Sequence, residues 1–139
     1  MGINEFIDYC DRNANGESNS INADNHNHAG LCKLIYNNPE TMGPREVTKK
    51  WREVDLGIGG AEGRLDLVFL DQYDETYLVE CKTKLSHPLN EASRQLKRGF
   101  YFMNKNFQVT PILIGVSRPP QRKIRIVRIQ PQVKDFLSY

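Results

Sequence analysis

Two neighbouring apolar segments constrain this chain more than any other feature of its sequence. Residues 64–70 (RLDLVFL) and 76–82 (TYLVECK) carry apolar side chains at odd and even positions alike, and the polar run 71–75 (DQYDE) separates them. Strands that are apolar on both faces lie in the middle of a sheet that is covered on both sides. The short polar connection predicts that the two segments form a β-hairpin. We therefore expect a central sheet with helices on both faces.

Further strands and helices are predicted around this hairpin. Apolar spacing and turn signals predict helices over residues 3–10, 30–36 and 88–104, and strands over residues 47–58, 111–117 and 123–129. Residues 1–29 are otherwise polar and rich in Asn, which is typical of loops. A chain of 139 residues fits one compact domain, so we expect a single α/β domain over residues 1–139.

Composition argues against several classes of protein. The net charge of +2 is too small to indicate a nucleic-acid partner by itself. Cys10, Cys32 and Cys81 are widely spaced, and an odd count without a CxxC pair argues against a disulfide framework, a zinc ribbon or an iron–sulfur cluster. We expect a reducing, cytoplasmic compartment. No membrane span is expected, because no segment approaches the roughly 18–20 consecutive apolar residues that a span needs.

Two acidic residues and a lysine lie within the apolar hairpin. If residues 71–75 form its loop, Asp66 lies directly opposite Glu80 on the same face, with Cβ atoms roughly 4.5–5.5 Å apart, and Lys82 shares that face. Two carboxylates in an apolar place repel each other and lose hydration, and a divalent cation relieves both costs. Carboxylate oxygens suit Mg²⁺, so these residues indicate metal-dependent phosphodiester hydrolysis in which Lys82 positions the attacking water. A buried ion pair without metal is the alternative.

The order of these motifs resembles the PD-(D/E)XK nuclease superfamily. Residues 63–68 (GRLDLV) and 78–84 (LVECKTK) are similar to its core pattern, in which an Asp is followed about a dozen residues later by Glu-X-Lys at the end of a strand. The resemblance implies a restriction-endonuclease-like fold, with a mixed central β-sheet flanked by α-helices, and hydrolysis of DNA with Mg²⁺ or Mn²⁺. It also implies the roles of four residues: Asp66 and Glu80 as metal ligands, the main-chain carbonyl of Cys81 as a further ligand, and Lys82 as the group that activates water.

The helix after the hairpin extends this resemblance. Residues 92–96 (ASRQL) are similar to the motif of small residues and Gln on the helix that follows the catalytic strand, which implies a catalytic role for Gln95. A solvent-facing Gln is the alternative. Residues 38–43 (NPETMG) add a narrower likeness, over residues 28–103, to the catalytic domain of archaeal branch- and mismatch-cutting endonucleases. This likeness does not fix the substrate.

One part of the superfamily pattern is missing. A Glu on the first helix usually helps to hold the metal through water, but the helix predicted before Asn38 contains no Glu. His28 is our candidate for a first-helix ligand, and the other candidates are Asp24, His26, Glu5, Glu17 and Glu46. The gap leaves open a weakened or single-metal centre, or a domain that binds without cutting. His26, His28 and Cys32 also offer three ligands for a transition metal, but we favour histidines in a solvated loop.

Basic residues mark the expected nucleic-acid surface. Four that lie near the proposed centre in sequence are expected to contact phosphates: Arg64, Lys84, Arg94 and Arg98. A second basic stretch, residues 118–128, contains no acid. Its alternative is a solvated strand in which Ile124 and Ile126 point inward and Arg125 points outward. No base-reading motif is visible, so we expect recognition of backbone shape, ends or branches. DNA is favoured over RNA only by the resemblance.

Three hypotheses follow. The first is a deoxyribonuclease dependent on Mg²⁺ or Mn²⁺ that acts alone, as a homodimer, or as a subunit of a larger complex. The second is a catalytically weak or inactive nuclease-fold module that binds nucleic acid or a protein partner, which the missing helix Glu favours. The third is a plain α/β structural protein in which Asp66 and Lys82 form a buried ion pair.

Overall fold

A computed structural model describes residues 2–15, 27–43, 46–57, 63–84, 87–118 and 123–131. The elements run in the order α1 (Ile3–Asn13), α2 (His28–Asn37), a 3₁₀ turn (Pro39–Met42), β1 (Val47–Asp55), β2 (Arg64–Asp71), β3 (Thr76–Lys82), α3 (Pro88–Phe107), β4 (Ile112–Ser117) and β5 (Arg125–Ile129). Within these ranges, none of the helices has the length and apolar character needed to cross a membrane.

The five strands form one mixed sheet in the order β1-β2-β3-β4-β5. Strands β1, β2 and β3 are antiparallel neighbours, β3 and β4 run parallel, and β5 is antiparallel to β4. A parallel pair needs a crossover connection, and α3 supplies it between β3 and β4. The expected α/β architecture, a mixed central sheet flanked by helices, is therefore confirmed.

Helices cover both faces of this sheet and create two cores. Helices α1 and α3 cover one face and form what we call the α3-side core, which includes Phe6, Phe100, Leu65, Val68 and Leu78. Helix α2 covers the other face and forms the α2-side core, which includes Leu31, Ile35, Leu67, Val79 and Cys81. Because β2 and β3 contribute residues to both cores, they are the buried centre that their sequences predicted.

Two glycines let α3 lie close to the sheet. A Cβ atom at Gly99 would lie 2.8 Å from a methyl carbon of Leu65 and 2.9 Å from one of Leu78, closer than packed carbon atoms approach. On β4, a Cβ atom at Gly115 would lie 3.7 Å from the Cβ of Ala92. Helix α3 is therefore fixed against β2, β3 and β4 over two turns.

The predicted hairpin register is confirmed. The cross-strand pairs are Leu67 with Val79, Val68 with Leu78, Phe69 with Tyr77, and Leu70 with Thr76. Asp71 holds the connecting turn, because its Oδ1 accepts the N–H groups of Tyr73 at 2.8 Å and Glu75 at 2.9 Å. The turn therefore sets which residues come level further along the hairpin, including Asp66 and Glu80.

Element boundaries differ modestly from the predictions. Helix α2 begins at His28 instead of residue 30, α3 continues to Phe107 instead of residue 104, and β5 begins at Arg125 instead of residue 123. The earlier start of α2 has a clear cause: Oδ1 of Asn27 caps the helix by accepting the N–H of Gly30 at 2.8 Å. The predicted loop at 16–26 and the end of the strand predicted over 47–58 lie outside the described residues.

The alternative interpretation of the last strand was wrong about its two isoleucines. Ile124 and Ile126 would point inward in that interpretation, but their exposed fractions are 37% and 41%. Strand β5 lies at the edge of the sheet, and it is Ile129 that packs against the α3-side core. Arg125 is exposed, as expected.

Candidate functional site

The backbone pairing of β2 with β3 ends at Leu67 and Val79, and two carboxylates bridge the strands beyond that point. The N–H of Asp66 donates to Oε1 of Glu80 at 2.9 Å, and the N–H of Cys81 donates to Oδ2 of Asp66 at 2.8 Å. Each acid therefore accepts a hydrogen bond from the backbone of the opposite strand. The structure thus brings Asp66 and Glu80 together at the end of the hairpin.

Asp66 lies at a break in the alternation of β2. Leu65 packs in the α3-side core and Leu67 in the α2-side core, although residues two apart in a regular strand share a face. The Asp66 carboxylate reaches α2, where its Oδ2 lies 3.1 Å from Nε2 of His28. Glu80 follows the regular alternation of β3, because its neighbours Val79 and Cys81 face the α2-side core and its side chain starts on the α3 side. The side chains of Asp66 and Glu80 contact each other at this irregular point of β2.

The carboxyl group of Glu80 is almost completely buried, with 1% of the residue exposed. Burial is the largest cause that raises its pKa well above the usual value, and the nearby charge of Asp66 raises it further, while Lys82 opposes the shift. Burial and a neighbouring negative charge make the ionised form of such a carboxyl group costly, and a bound cation offsets that cost. The end of the hairpin therefore favours the binding of positive charge.

Lys82 and the backbone of Cys81 complete the group at the end of β3. Lys82 is partly exposed, and its carbonyl accepts the N–H of Arg118, which follows β4, at 2.9 Å. Successive carbonyl groups of a strand point toward opposite neighbours. The carbonyl of Cys81 therefore points toward β2, at the level where the backbone pairing has ended.

Gln95 is buried on the face of α3 that packs against the sheet. It is 9% exposed and lies one turn from Ala92, which faces Gly115, and one turn from Gly99, which faces β2 and β3. Gly115 pairs with Glu80, so Gln95 lies over the part of the sheet that carries the acids. Within the described residues, its Oε1 is buried and accepts no hydrogen bond. The solvent-facing alternative was therefore wrong.

His28 reaches the site from the first residue of α2. Its Nε2 lies 3.1 Å from Oδ2 of Asp66, and this hydrogen bond is the largest cause that raises the pKa of His28 to about 11. Half of the side chain remains exposed. Our interpretation of the histidines as solvated loop residues was wrong for His28, while His26 lies outside the described residues.

Two other candidates for the first-helix ligand lie elsewhere. Oε2 of Glu5 accepts an N–H at the start of α1, at 2.9 Å. Glu46 precedes β1, and its carbonyl accepts an N–H from the β2–β3 turn, so it lies at the opposite end of β2 from Asp66. Asp24 and Glu17 are outside the part of the chain that the structure describes.

Cys32 lies one helical turn after His28, on the same face of α2. Its Sγ lies 3.7 Å from Nε2 and 4.0 Å from Nδ1 of His28. A hydrogen bond with the thiol of Cys81 is the largest cause that lowers the pKa of Cys32 to about 7, and the same bond raises the pKa of Cys81. Sequence reasoning missed the grouping of His28, Cys32 and Asp66. The spacing of the first two was visible, but the helix was predicted to begin after His28.

The basic residues expected to bind phosphate have different surroundings. Arg64 is exposed at the start of β2, level with Asp55 of β1. Lys84 forms an ion pair with Glu91 on α3, which neutralises part of its charge. The remaining two, Arg94 and Arg98, lie one turn apart on α3.

The oxygen atoms at the end of the hairpin fit a divalent metal ion. The carboxylates of Asp66 and Glu80, the carbonyl of Cys81 and Oε1 of Gln95 are hard donors of the kind that Mg²⁺ and Mn²⁺ accept. A bound cation would offset the burial of the Glu80 charge. The residues present therefore fit the metal that the sequence implied.

The mixed sheet, its crossover helix and the flanking helices form an α/β fold that is also found in a solved repair endonuclease. Among solved structures, the chain is similar to a repair endonuclease from Pyrococcus abyssi, with a TM-score of 0.50 and 20% identity over 68% of this chain and 39% of that chain. It is also similar to EndoMS in a complex with double-stranded DNA, with a TM-score of 0.47 and 19% identity over 76% of this chain and 42% of that chain. No protein-family model and no curated protein matches the chain. At 20% identity the first of these two likenesses shows the fold alone. The chain spans only about two fifths of either neighbour.

Proposed function

We propose that this chain is a divalent-metal-dependent endonuclease that hydrolyses phosphodiester bonds of DNA. One observation carries the proposal: the buried carboxyl of Glu80 meets the carboxylate of Asp66 where the pairing of β2 and β3 ends. Two acids in so dry a place are costly unless they serve a bound cation. The likeness of the fold to that of a repair endonuclease supports the same conclusion.

The residues at the end of the hairpin have distinct roles in this proposal. Asp66, Glu80 and the carbonyl of Cys81 hold Mg²⁺ or Mn²⁺, and His28 orients Asp66 through the contact at 3.1 Å. The bound ion supplies positive charge for a phosphate oxygen and lowers the pKa of a water molecule. Lys82 orients the attacking water and neutralises charge that develops on the phosphate. The free Oε1 of Gln95 accepts a hydrogen bond from water at the site.

The surroundings of the site supply contacts for a DNA backbone in this proposal. Arg64, Lys84, Arg94 and Arg98 bind phosphates, and Lys84 exchanges its partner Glu91 for a phosphate when DNA binds. The single domain over residues 1–139, and its action alone, as a homodimer or within a larger complex, remain predictions.

Cleavage assays with matched variants test the proposal. Labelled single-stranded, duplex and branched DNA would be incubated with Mg²⁺, Mn²⁺ or EDTA, using the wild type, Asp66→Ala, Lys82→Ala and a control, Lys105→Ala, at the far end of α3. We expect cleavage that needs the metal, a loss of about 10²-fold or more in the first two variants, and an unchanged rate in the control. Equal cleavage by wild type and Asp66→Ala would refute the proposed centre.

A binding module is the second candidate, because α2 contains no Glu, the residue that the superfamily usually has on its first helix. In that case the wild type would retain DNA in a mobility-shift assay and cleave none of the substrates with either metal. A wild type that neither cleaves nor binds any of the substrates would contradict both candidates.

A further inference from the structure

We propose that His28, Cys32 and Asp66 form a binding site for a transition metal ion of the zinc class, beside the oxygen-lined centre. The three residues present an imidazole nitrogen, a sulfur and a carboxylate oxygen, all within 4.8 Å of one another. Zinc prefers this combination of nitrogen, sulfur and oxygen, whereas Mg²⁺ takes oxygen ligands. The donor set therefore selects a different metal from the one proposed for Asp66, Glu80 and Cys81.

Two of the three distances between these donors are close to those of tetrahedral coordination. Bonds of about 2.0–2.1 Å to nitrogen, 2.0–2.2 Å to oxygen and 2.3 Å to sulfur, at tetrahedral angles, separate nitrogen from oxygen by about 3.4 Å and nitrogen from sulfur by about 3.6 Å. In the structure, Nε2 of His28 lies 3.1 Å from Oδ2 of Asp66 and 3.7 Å from Sγ of Cys32. Both separations lie within a few tenths of an ångström of these values.

The contacts of His28 fit three ligands around one metal ion better than they fit a series of hydrogen bonds. Nε2 carries at most one hydrogen, which the contact with Asp66 uses, so the same atom cannot donate to the Cys32 sulfur as well. The sulfur lies almost as near to Nδ1, at 4.0 Å, so the ring of His28 turns slightly when Nε2 coordinates. Half of the His28 side chain is exposed, which leaves space for this rotation and for a water as the fourth ligand.

Local structure holds the ligands in place before any ion binds. His28 and Cys32 are four residues apart on α2, and Asn27 caps the start of that helix through Gly30. Asp66 is held from the opposite side by the N–H of Cys81 at 2.8 Å. Two of the ligands therefore come from one helical face and the third from an anchored carboxylate.

Cobalt(II) is the probe for this site, because a thiolate ligand gives the ion a charge-transfer absorption band. Titrating the metal-free, reduced protein with Co²⁺ should produce this band with one ion per chain, and Zn²⁺ should abolish it by displacement. Cys32→Ser should lose the band, whereas the matched control Cys10→Ser, whose thiol lies in the α3-side core, should keep it. His28→Gln should bind Co²⁺ at least about tenfold more weakly.

The variants make the outcome decisive. A wild type without the band, a band that survives in Cys32→Ser, or an unchanged affinity in His28→Gln would each overturn the proposal. If Cys81→Ser loses the band and Cys32→Ser keeps it, the sulfur ligand is Cys81 and not Cys32. That result would overturn the proposal as well. If circular dichroism shows that Cys32→Ser does not fold, the affinity of His28→Gln decides, because that ring is half exposed.

A consequence for activity rests on the proposed nuclease function. Both centres use Asp66, so zinc at the second site competes for a ligand of the first. In assays with Mg²⁺, about one equivalent of Zn²⁺ should slow cleavage by the wild type, and the same addition should slow Cys32→Ser less, relative to its own zinc-free rate. If the wild type cleaves no DNA, the nuclease proposal is wrong, but the cobalt titration still tests the transition-metal site. If zinc inhibits the wild type and Cys32→Ser equally, the claim that the two centres share Asp66 is wrong.

Discussion

Glu80 combines deep burial with an acidic neighbour, so its ionisation costs folding free energy. Because its pKa is raised in the folded state, first by burial, folding takes up a proton at a pH where the unfolded chain has none on this residue. The stability from this protonation is complete below the unfolded value of 4.5 and declines as the pH rises through the raised folded value. Glu80 therefore destabilises the metal-free protein at neutral pH.

Replacing Glu80 by Gln should stabilise the metal-free protein and abolish cleavage. In EDTA at pH 7 we expect a gain on the order of 1 kcal/mol in the free energy of unfolding, because Gln can still accept the N–H of Asp66 without a charge. Urea denaturation measures the gain, which should vanish below pH 4.5. Glu75→Gln, in the exposed turn, is the control with little change. A less stable Glu80→Gln at pH 7 would contradict this account.

His28 should stabilise the fold over a different range of pH. Its pKa is raised by the hydrogen bond to Asp66, so this contribution is complete below 6.5 and is lost as the pH rises through about 11. Because the ring is half exposed, the contribution is roughly 0.5–1 kcal/mol. Thermal unfolding in EDTA should show His28→Gln less stable than the wild type at pH 6, with the difference shrinking toward pH 11. A difference that grows with pH would contradict the ion pair.

At the scale of elements, the close packing of α3 on the sheet depends on Gly99, which faces β2 and β3. In Gly99→Ala, the new methyl group would lie 2.8 Å from Leu65 and 2.9 Å from Leu78, both of which are buried. Overpacking of this kind costs typically about 1–3 kcal/mol and exceeds the gain of roughly 1 kcal/mol in helix propensity. Urea denaturation should show a net loss, whereas Asn90→Ala, exposed on the same helix, should be neutral or stabilising. A more stable Gly99→Ala would show that the helix can move away.

Sequence reasoning predicted the elements well and the geometry of the site only in part. The hairpin register followed from a five-residue polar loop, because a turn sets the pairing of its strands. The start of α2 was missed because His28 and Asn27 add nothing to an apolar pattern, although Asn27 is a good N-cap. The irregularity at Asp66 could not be predicted, since it accompanies hydrogen bonds between a side chain and a distant backbone amide. Alternation of side chains carries no information about such contacts.

At the scale of the whole molecule, a bound metal should couple to folding. An ion that binds only the folded protein stabilises it by about 1.4 kcal/mol at ten times its dissociation constant, which is roughly 4 °C in melting temperature for a domain of this size. Calorimetry with Mg²⁺ or Mn²⁺ should show this rise in the wild type and none in Asp66→Asn. An equal rise in the variant would locate the ion elsewhere.

The two acids are held in place by amide hydrogens of the facing strand. Every residue except proline provides such a hydrogen, whatever its side chain. The apolar residues around the acids can therefore change identity over evolutionary time without moving the carboxylates. Substitutions would change most of the other residues of the hairpin before they altered the spacing of the two acids or the hydrogen bonds that hold them.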